Sequence, residues 1–529
     1  MSDKLKVEPS GAAMDRRTFM GTLGAVAGAN VVASGAAFAT EAPADANRPR
    51  SNHMAALGDS FRAECDIRDC EVEGEIPADL DGAFYRVGPD FQYPPRVPNI
   101  PFDGEGHVGM FRFSKGHVDF RSRYVRTQRY KTQQAARQAL FGTYRNPHTD
   151  DPSVRKVSRG TANTNIFFHA GKFFALKEDS PPVAIDPNTL ATLDDYCTFN
   201  GKLTSLTFTA HPKIDSETGE MLAFGYEAKG EATTDVAVYA ISPQGNITWE
   251  AWIKVPYAGM LHDFAVTDRH IAFLALPMAT NVEQMKQGKV HFAWDSSLPT
   301  WFGVMRRGGD GKDIRWFKGP ERCATHVMGA FSDGDRMFVD MDMAHKNQFP
   351  FFPNLHGEPF DPIGAMGRLT RLTVDLSKNS PDYDMEVLFS QVGILPRQDD
   401  RYHTVPYRYG FMPTLDLERP LNQRLAGLPF RPYNCYTRFD QKTHQTSTFF
   451  VGDASSLQEC CFVPRRKGAA EGDGYIIGMT NRLLEGRTDL VLIDTDDMED
   501  GLIATVKLPF KLNAGIHGLW IPGDALSAA

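Results

Sequence analysis

The chain lacks a basic excess. Lys and Arg number 57 against 66 Asp and Glu, for a formal net charge of −9. No run of Lys and Arg gathers along it, which argues against a phosphate-tracking surface and so against nucleic acid as a partner. Cysteine is scarce: seven are present, no pair has zinc-finger spacing, and no set suits an iron–sulfur cluster. Cys460 and Cys461 are neighbours, a sign of packing. Cys65 and Cys70 would bridge only in an oxidising compartment, and they read better as a packed, reduced pair. A Gly-rich nucleotide loop is also missing, consistent with a chemistry that needs no reductase. Long helical periods are few. What remains, 42% hydrophobic and 23% charged residues, is ordinary for a soluble protein with a full core.

The one long uncharged stretch lies at the N-terminus. Asp15-Arg16-Arg17-Thr18-Phe19-Met20 opens a Gly- and Ala-rich segment over residues 21–39 that closes with Ala37-Phe38-Ala39. A twin arginine, a mildly apolar middle and a small-x-small end read as a bacterial twin-arginine export signal. A membrane anchor is the weaker alternative, because the segment is barely long enough to span and is dominated by small residues. Residues 1–39 are therefore expected to be the export signal, 40–60 a linker and 61–529 the folded domain of a periplasmic protein.

From about residue 60 the pattern is short extended runs broken by turn chemistry. Met221–Tyr226 and Asp235–Ile241 are clear strands, and residues 247–255, 270–276, 336–341, 368–376, 446–451, 474–479 and 489–493 are similar. More than four hundred residues of strand pattern without a linker favour an all-β propeller, whose blades leave no long exposed edge. No repeat motif gives the blade count. Residues 90–108, 130–160, 280–320 and 343–365 read as irregular and too long for hairpin turns, as lids and site walls are. Residues 133–140 are the best helical candidate among them. The aromatic run Phe349-Pro350-Phe351-Phe352-Pro353 suits packing better than a tunnel mouth, a membrane or a partner.

Four of the fifteen histidines stand apart. His211 lies in Phe208-Thr209-Ala210-His211-Pro212, His262 in Met260-Leu261-His262-Asp263-Phe264, His326 in Ala324-Thr325-His326-Val327, and His517 in Gly515-Ile516-His517-Gly518-Leu519. Burying an imidazole in such apolar settings is costly unless it is hydrogen-bonded or metallated. Their separations, from about fifty to nearly two hundred residues, are too large for a local zinc motif. In a propeller, inner strands of different blades can each aim one ring at the axis. Residue context alone leaves two readings open: one shared metal, or four independent core histidines. Imidazole suits iron, zinc, copper or nickel alike.

Further segments lie in order along the chain: Cys70-Glu71-Val72-Glu73-Gly74-Glu75-Ile76-Pro77, Tyr85-Arg86-Val87-Gly88-Pro89-Asp90, Pro101-Phe102-Asp103-Gly104-Glu105-Gly106, Thr209-Ala210-His211-Pro212-Lys213, Leu261-His262-Asp263-Phe264 and the terminal Gly515-Ile516-His517-Gly518. Together they resemble the carotenoid cleavage oxygenases, and more closely their lignostilbene dioxygenase branch. The resemblance covers nearly all of the chain after the export signal. It implies a seven-bladed β-propeller capped by a dome of loops and short helices, with one Fe(2+) per chain held by His211, His262, His326 and His517. It also implies glutamates that orient the ligand imidazoles. Glu178 and Glu459 match two of them, while the third position is Ile394, a departure from the pattern. Lys177, Tyr144 and Phe102 match the branch's phenol clamp. Lys and Tyr would hydrogen-bond a phenol oxygen and stabilise its anion, and Phe would stack on the ring. One tension follows, since neighbouring strand residues point to opposite faces, so Lys177 and Glu178 can face one cavity only if the strand is broken there.

The expected activity is cleavage of the alkene of a 4-hydroxystilbene into two aromatic aldehydes. Alternatives are the same chemistry on a phenylpropenoid such as isoeugenol or on an apocarotenoid, a zinc hydrolase, and a metal-free periplasmic binding propeller. The expected partners are a small aromatic substrate and O2, without stable membrane insertion; a homodimer stays open.

Overall fold

The computed structural model describes residues 60–527, except 98 and 429–431. The expected export signal, and all of the linker but residue 60, lie outside the described residues. The strands form antiparallel sheets that resolve into seven blades. Blade 1 orders, from the axis outward, His517–Pro522, Gly82–Asp90, Glu105–Ser114, His117–Tyr124 and Cys65–Ile67. Blades 2 to 4 begin at the axis with Asn165–His169, Lys213–Ile214 and Phe264–Val266. An eight-stranded sheet makes blades 5 and 6, whose inner strands are Cys323–Asp333 and Arg397–Gln398. Their strand ladders meet, among the described residues, at only two pairs, Val392 with Leu415 and Gly393 with Thr414. Blade 7 starts at Ser455–Pro464 and is completed on its outside by Glu71–Gly74.

Both ends of the described chain thus close the ring. The last strand, His517–Pro522, pairs with Gly82–Asp90 as the innermost strand of blade 1, while Glu71–Gly74 pairs with Leu502–Lys507 of blade 7. The all-β propeller with seven blades agrees with expectation, and so do the strands read as extended runs between turns. Buried Val, Ile, Leu and Phe side chains fill the space between blades, giving most of the sheet two covered faces.

Departures from the sequence reading are local. The helix expected over 133–140 runs instead over Gln128–Ala136. Thr127 caps its start by accepting from the Tyr130 amide at 3.1 Å, and Arg137 ends it at φ +55°. Within 280–320, read as irregular, lie the strands Phe292–Trp294, Thr300–Arg306 and Arg315–Gly319. Gly303 interrupts the apolar run that would have marked the second of these. A Cβ there would come within 2.5 Å of the Trp316 ring on the paired strand, so only glycine fits. Similarly, Glu105–Ser114 begins inside the loop read as 90–108. All seven cysteines are free thiols, Cys65 and Cys70 included. The loops that remain carry the short helix Val282–Lys286 and the hairpin Met278–Thr280 with Phe292–Trp294, and they form a cap.

Candidate metal centre and cavity

Each of the four histidines stands where an inner strand starts or bulges. His211 and His262 just precede Lys213–Ile214 and Phe264–Val266, and His517 opens its strand opposite Val87. His326 sits inside Cys323–Asp333, where the register with the next strand shifts between Ala324 and Val327. Bulges of this kind re-aim a side chain and free backbone amides. Asp342 takes up those amides, accepting from Thr325 N at 3.2 Å, His326 N at 2.6 Å and Thr325 Oγ1 at 2.6 Å. Glu459 occupies a matching bulge in blade 7, between Leu457 and Cys460.

Blades 1, 3, 4 and 5 thereby bring four imidazoles to one point, with ligand nitrogens within 4.8 Å of one another. His262 Nε2 lies 3.1 Å from His211 Nε2 and 3.0 Å from His326 Nε2. Two nitrogens bound at right angles about 2.1 Å from one cation would stand about 3 Å apart. His262 Nδ1 donates to Glu178 Oε1, and His517 Nδ1 donates to Glu459 Oε1 at 2.8 Å. With their protons on Nδ1, these rings turn Nε2 lone pairs toward the common centre, where they repel unless a cation sits between them. His517 Nε2 is buried without a hydrogen-bond partner among the described residues. Burial, then the nearby histidines, hold the pKa of His211 far below the ordinary imidazole value, so it is neutral and able to ligate. The donor set fits a metal ion, and imidazole alone does not select which one.

Surrounding charges fix the carboxylates. Burial favours the neutral acid at Glu459, but His517, Arg397 and Arg86 outweigh it and bring its pKa down to about 2. Arg86 Nη1 and Arg397 Nη1 stand 3.2 and 3.3 Å from its Oε2, which also accepts from Gly518 N at 2.8 Å. At Glu178 burial is likewise outweighed by His262 and Lys177, and the pKa falls below the usual carboxylate range. Ile394 lines the cavity and supplies no carboxylate. Asp263 stands next to His262, and nothing in its sequence context points to a role. It accepts from Val327 N at 2.8 Å and pairs with Lys213 Nζ at 2.8 Å, joining the inner strands of blades 3, 4 and 5.

Above the histidines lies a cavity of about 910 Å³, its open mouth included. Phe102, Tyr144, Lys177, Glu178, His262 and His326 bound one part of it, and Ile394, Leu395, Leu457 and Ile516 another. Lys177 and Glu178 both face it because the strand Lys172–Leu176 ends just before them, which removes the alternation anticipated there. Lys177 Nζ stands 4.9 Å from the centre of the Tyr144 ring and 3.5 Å from the Phe102 carbonyl oxygen. Burial lowers the Lys177 pKa and raises that of Tyr144 well above the ordinary phenol value. Phe349 and Phe352 line the roof, so the aromatic run both packs and faces the cavity.

A family model described as RPE65, retinal pigment epithelial membrane protein, matches residues 58–522. The chain is 44% identical over 489 residues to lignostilbene-alpha,beta-dioxygenase isozyme III of Sphingomonas paucimobilis, covering 92% of this chain and 100% of that protein. Isoeugenol monooxygenase of Pseudomonas nitroreducens is 42% identical over 461 residues, covering 87% of this chain and 96% of that one. The crystal structure of Pseudomonas brassicacearum lignostilbene dioxygenase superposes with a TM-score of 0.86 at 40% identity, over 90% of this chain and 99% of that one. A full-length match of this kind, on a propeller with four imidazoles at its axis, means that the chain belongs to the RPE65, or carotenoid cleavage oxygenase, family.

Proposed function

We propose that the protein is an iron(II) dioxygenase that cleaves the interphenyl alkene of a 4-hydroxystilbene into two aromatic aldehydes. One observation carries the reading: a single cavity is bounded by Lys177, Tyr144 and Phe102 and by His262 and His326 of the four-imidazole centre. Alkene and O2 balance as two aldehydes, with both product oxygens derived from O2, so no outside reductant enters.

Iron(II), when bound, would supply the site at which O2 is activated. The chain's own residues handle the substrate. Burial lowers the Lys177 pKa, which favours the neutral amine as acceptor of the substrate hydroxyl's proton and leaves an ammonium beside a phenolate. Tyr144 keeps its proton and donates it in a hydrogen bond to the same oxygen. The phenolate pushes electron density into the conjugated alkene, while Phe102 packs on the ring and the apolar walls exclude water.

The test supplies iron(II) and a 4-hydroxystilbene, with and without air, and measures aldehydes and bound metal. Aldehydes only in air, with about one iron per chain, support the reading. Activity without oxygen supports a zinc hydrolase instead, and absence of stoichiometric metal supports a binding propeller. A 4-methoxy analogue cannot be deprotonated, so undiminished turnover on it discards the clamp. A second reading, cleavage of an isoeugenol-like phenylpropenoid, is favoured by the 42% identical monooxygenase, and competition between the two substrates separates them. An apocarotenoid would leave Tyr144 and Lys177 without a phenol to hold. We also infer export to the periplasm from Arg16-Arg17 and the uncharged segment after it, tested by replacing both arginines with lysine and following the mature protein.

A further inference from the structure

A buried network that does not line the cavity lies directly behind the clamp in sequence. Arg145 Nη1 donates to Tyr226 Oη at 2.6 Å, and Nη2 to Glu227 Oε2 at 2.7 Å. His291 Nε2 donates to the Glu227 carboxylate, 2.9 Å from each oxygen, and His291 Nδ1 donates to the Arg145 carbonyl at 3.0 Å. Arg145 is therefore held twice, by its guanidinium and by its own carbonyl, through the same glutamate. Exposure is 7% for Arg145 and 3% each for Glu227 and His291. Ion pairs so buried are strong only with this quality of geometry, and their best-attested use is to fix one arrangement of the chain.

Backbone strain points the same way. Arg145 has φ +49° and Glu227 φ +51°, a left-handed conformation that residues with a Cβ keep only where the surroundings over-determine it. The network also spans three elements. Arg145 belongs to the cap segment after Gly142, Glu227 follows the blade 3 strand Met221–Tyr226, and His291 precedes the cap strand Phe292–Trp294. Next to it, Asn146 Nδ2 donates to the carbonyls of Met285 at 2.8 Å and Lys289 at 2.6 Å, and the Tyr144 amide donates to Asn99 Oδ1 at 2.9 Å. Tyr144 sits between these anchors, its ring 6.5 Å from that of Phe292 and 5.8 Å from that of Phe352.

We propose that Arg145, Glu227 and His291 are positioning residues: an ionic latch that pins the cap to blade 3 and so holds the Tyr144 hydroxyl where an aryl 4-hydroxyl binds. The proposal rests on the phenol-clamp reading above. Without the latch the cavity remains, but its hydroxyl-recognising end loses its fixed geometry.

The test compares full-length, iron-loaded wild type with Glu227→Gln and His291→Gln, measuring anaerobic dissociation constants for a 4-hydroxystilbene and its 4-methoxy analogue, and then kcat and KM. In the variants, Kd and KM for the 4-hydroxy compound rise at least about tenfold, while Kd for the 4-methoxy compound changes less than about twofold. Bound iron stays the same. Equal weakening toward both compounds, or no change in their ratio, overturns the latch and leaves the clamp standing. A wild type that does not prefer the 4-hydroxy compound overturns the clamp and the latch with it. If Glu227→Gln does not fold, Arg145→Lys keeps the charge, loses the fork-shaped donor pair and carries the same comparison.

Discussion

Glu178 and Glu459 perform one task with different support. Each accepts from a ligand imidazole, but Glu459 also has the buried Arg86, the half-buried Arg397 and a backbone amide, whereas Glu178 has Lys177 beside it in the cavity wall. Glu459→Gln keeps the shape and loses the charge, so metal affinity is expected to fall about 10- to 100-fold, measured by competition with a chelator. Lys177→Met is expected to retain metal and fold while kcat/KM on a 4-hydroxystilbene drops about a hundredfold. The four histidines were legible because each is a lone imidazole in an apolar setting, an arrangement that demands a partner. Asp342 and Asp263 were not. Their work is to satisfy amides released by a bulge and to join neighbouring blades, and neither duty leaves a pattern along the chain.

Among elements, short extended runs bounded by turn chemistry were legible almost to the residue, as at Met221–Tyr226 and Asp235–Ile241, which are buried along their whole length. Thr300–Arg306 was hidden by a glycine whose reason, the Trp316 ring, lies on another strand. Gln128–Ala136 was displaced because it is polar nearly all round, so only its cap at Thr127 marked the start. The bulges that aim His326 and Glu459 depend on register against a partner strand and are invisible in either strand alone. Asp263 stitches three inner strands, and its removal leaves Lys213 without its partner and Val327 N without its acceptor. Asp263→Ala is therefore expected to cost about 3 kcal/mol or more, read from the urea unfolding midpoint.

At the scale of the molecule, ring closure and the metal centre depend on the same strand. His517–Pro522 supplies the innermost ladder of blade 1 and the fourth imidazole together. Deleting residues 517–529 is expected to abolish stoichiometric metal and to lower Tm well beyond the loss seen in His517→Ala, which removes the ligand but keeps the strand. The difference between the two, followed by metal analysis and thermal unfolding, separates closure from ligation. The order of ligands along the chain adds a consequence for biosynthesis. A ribosome releases His211, His262 and His326 long before the fourth nitrogen, so a polypeptide that stops short of His517 offers three of the four donors at most. Tight metal capture therefore waits for the strand His517–Pro522, so a held ion reports that the ring has closed.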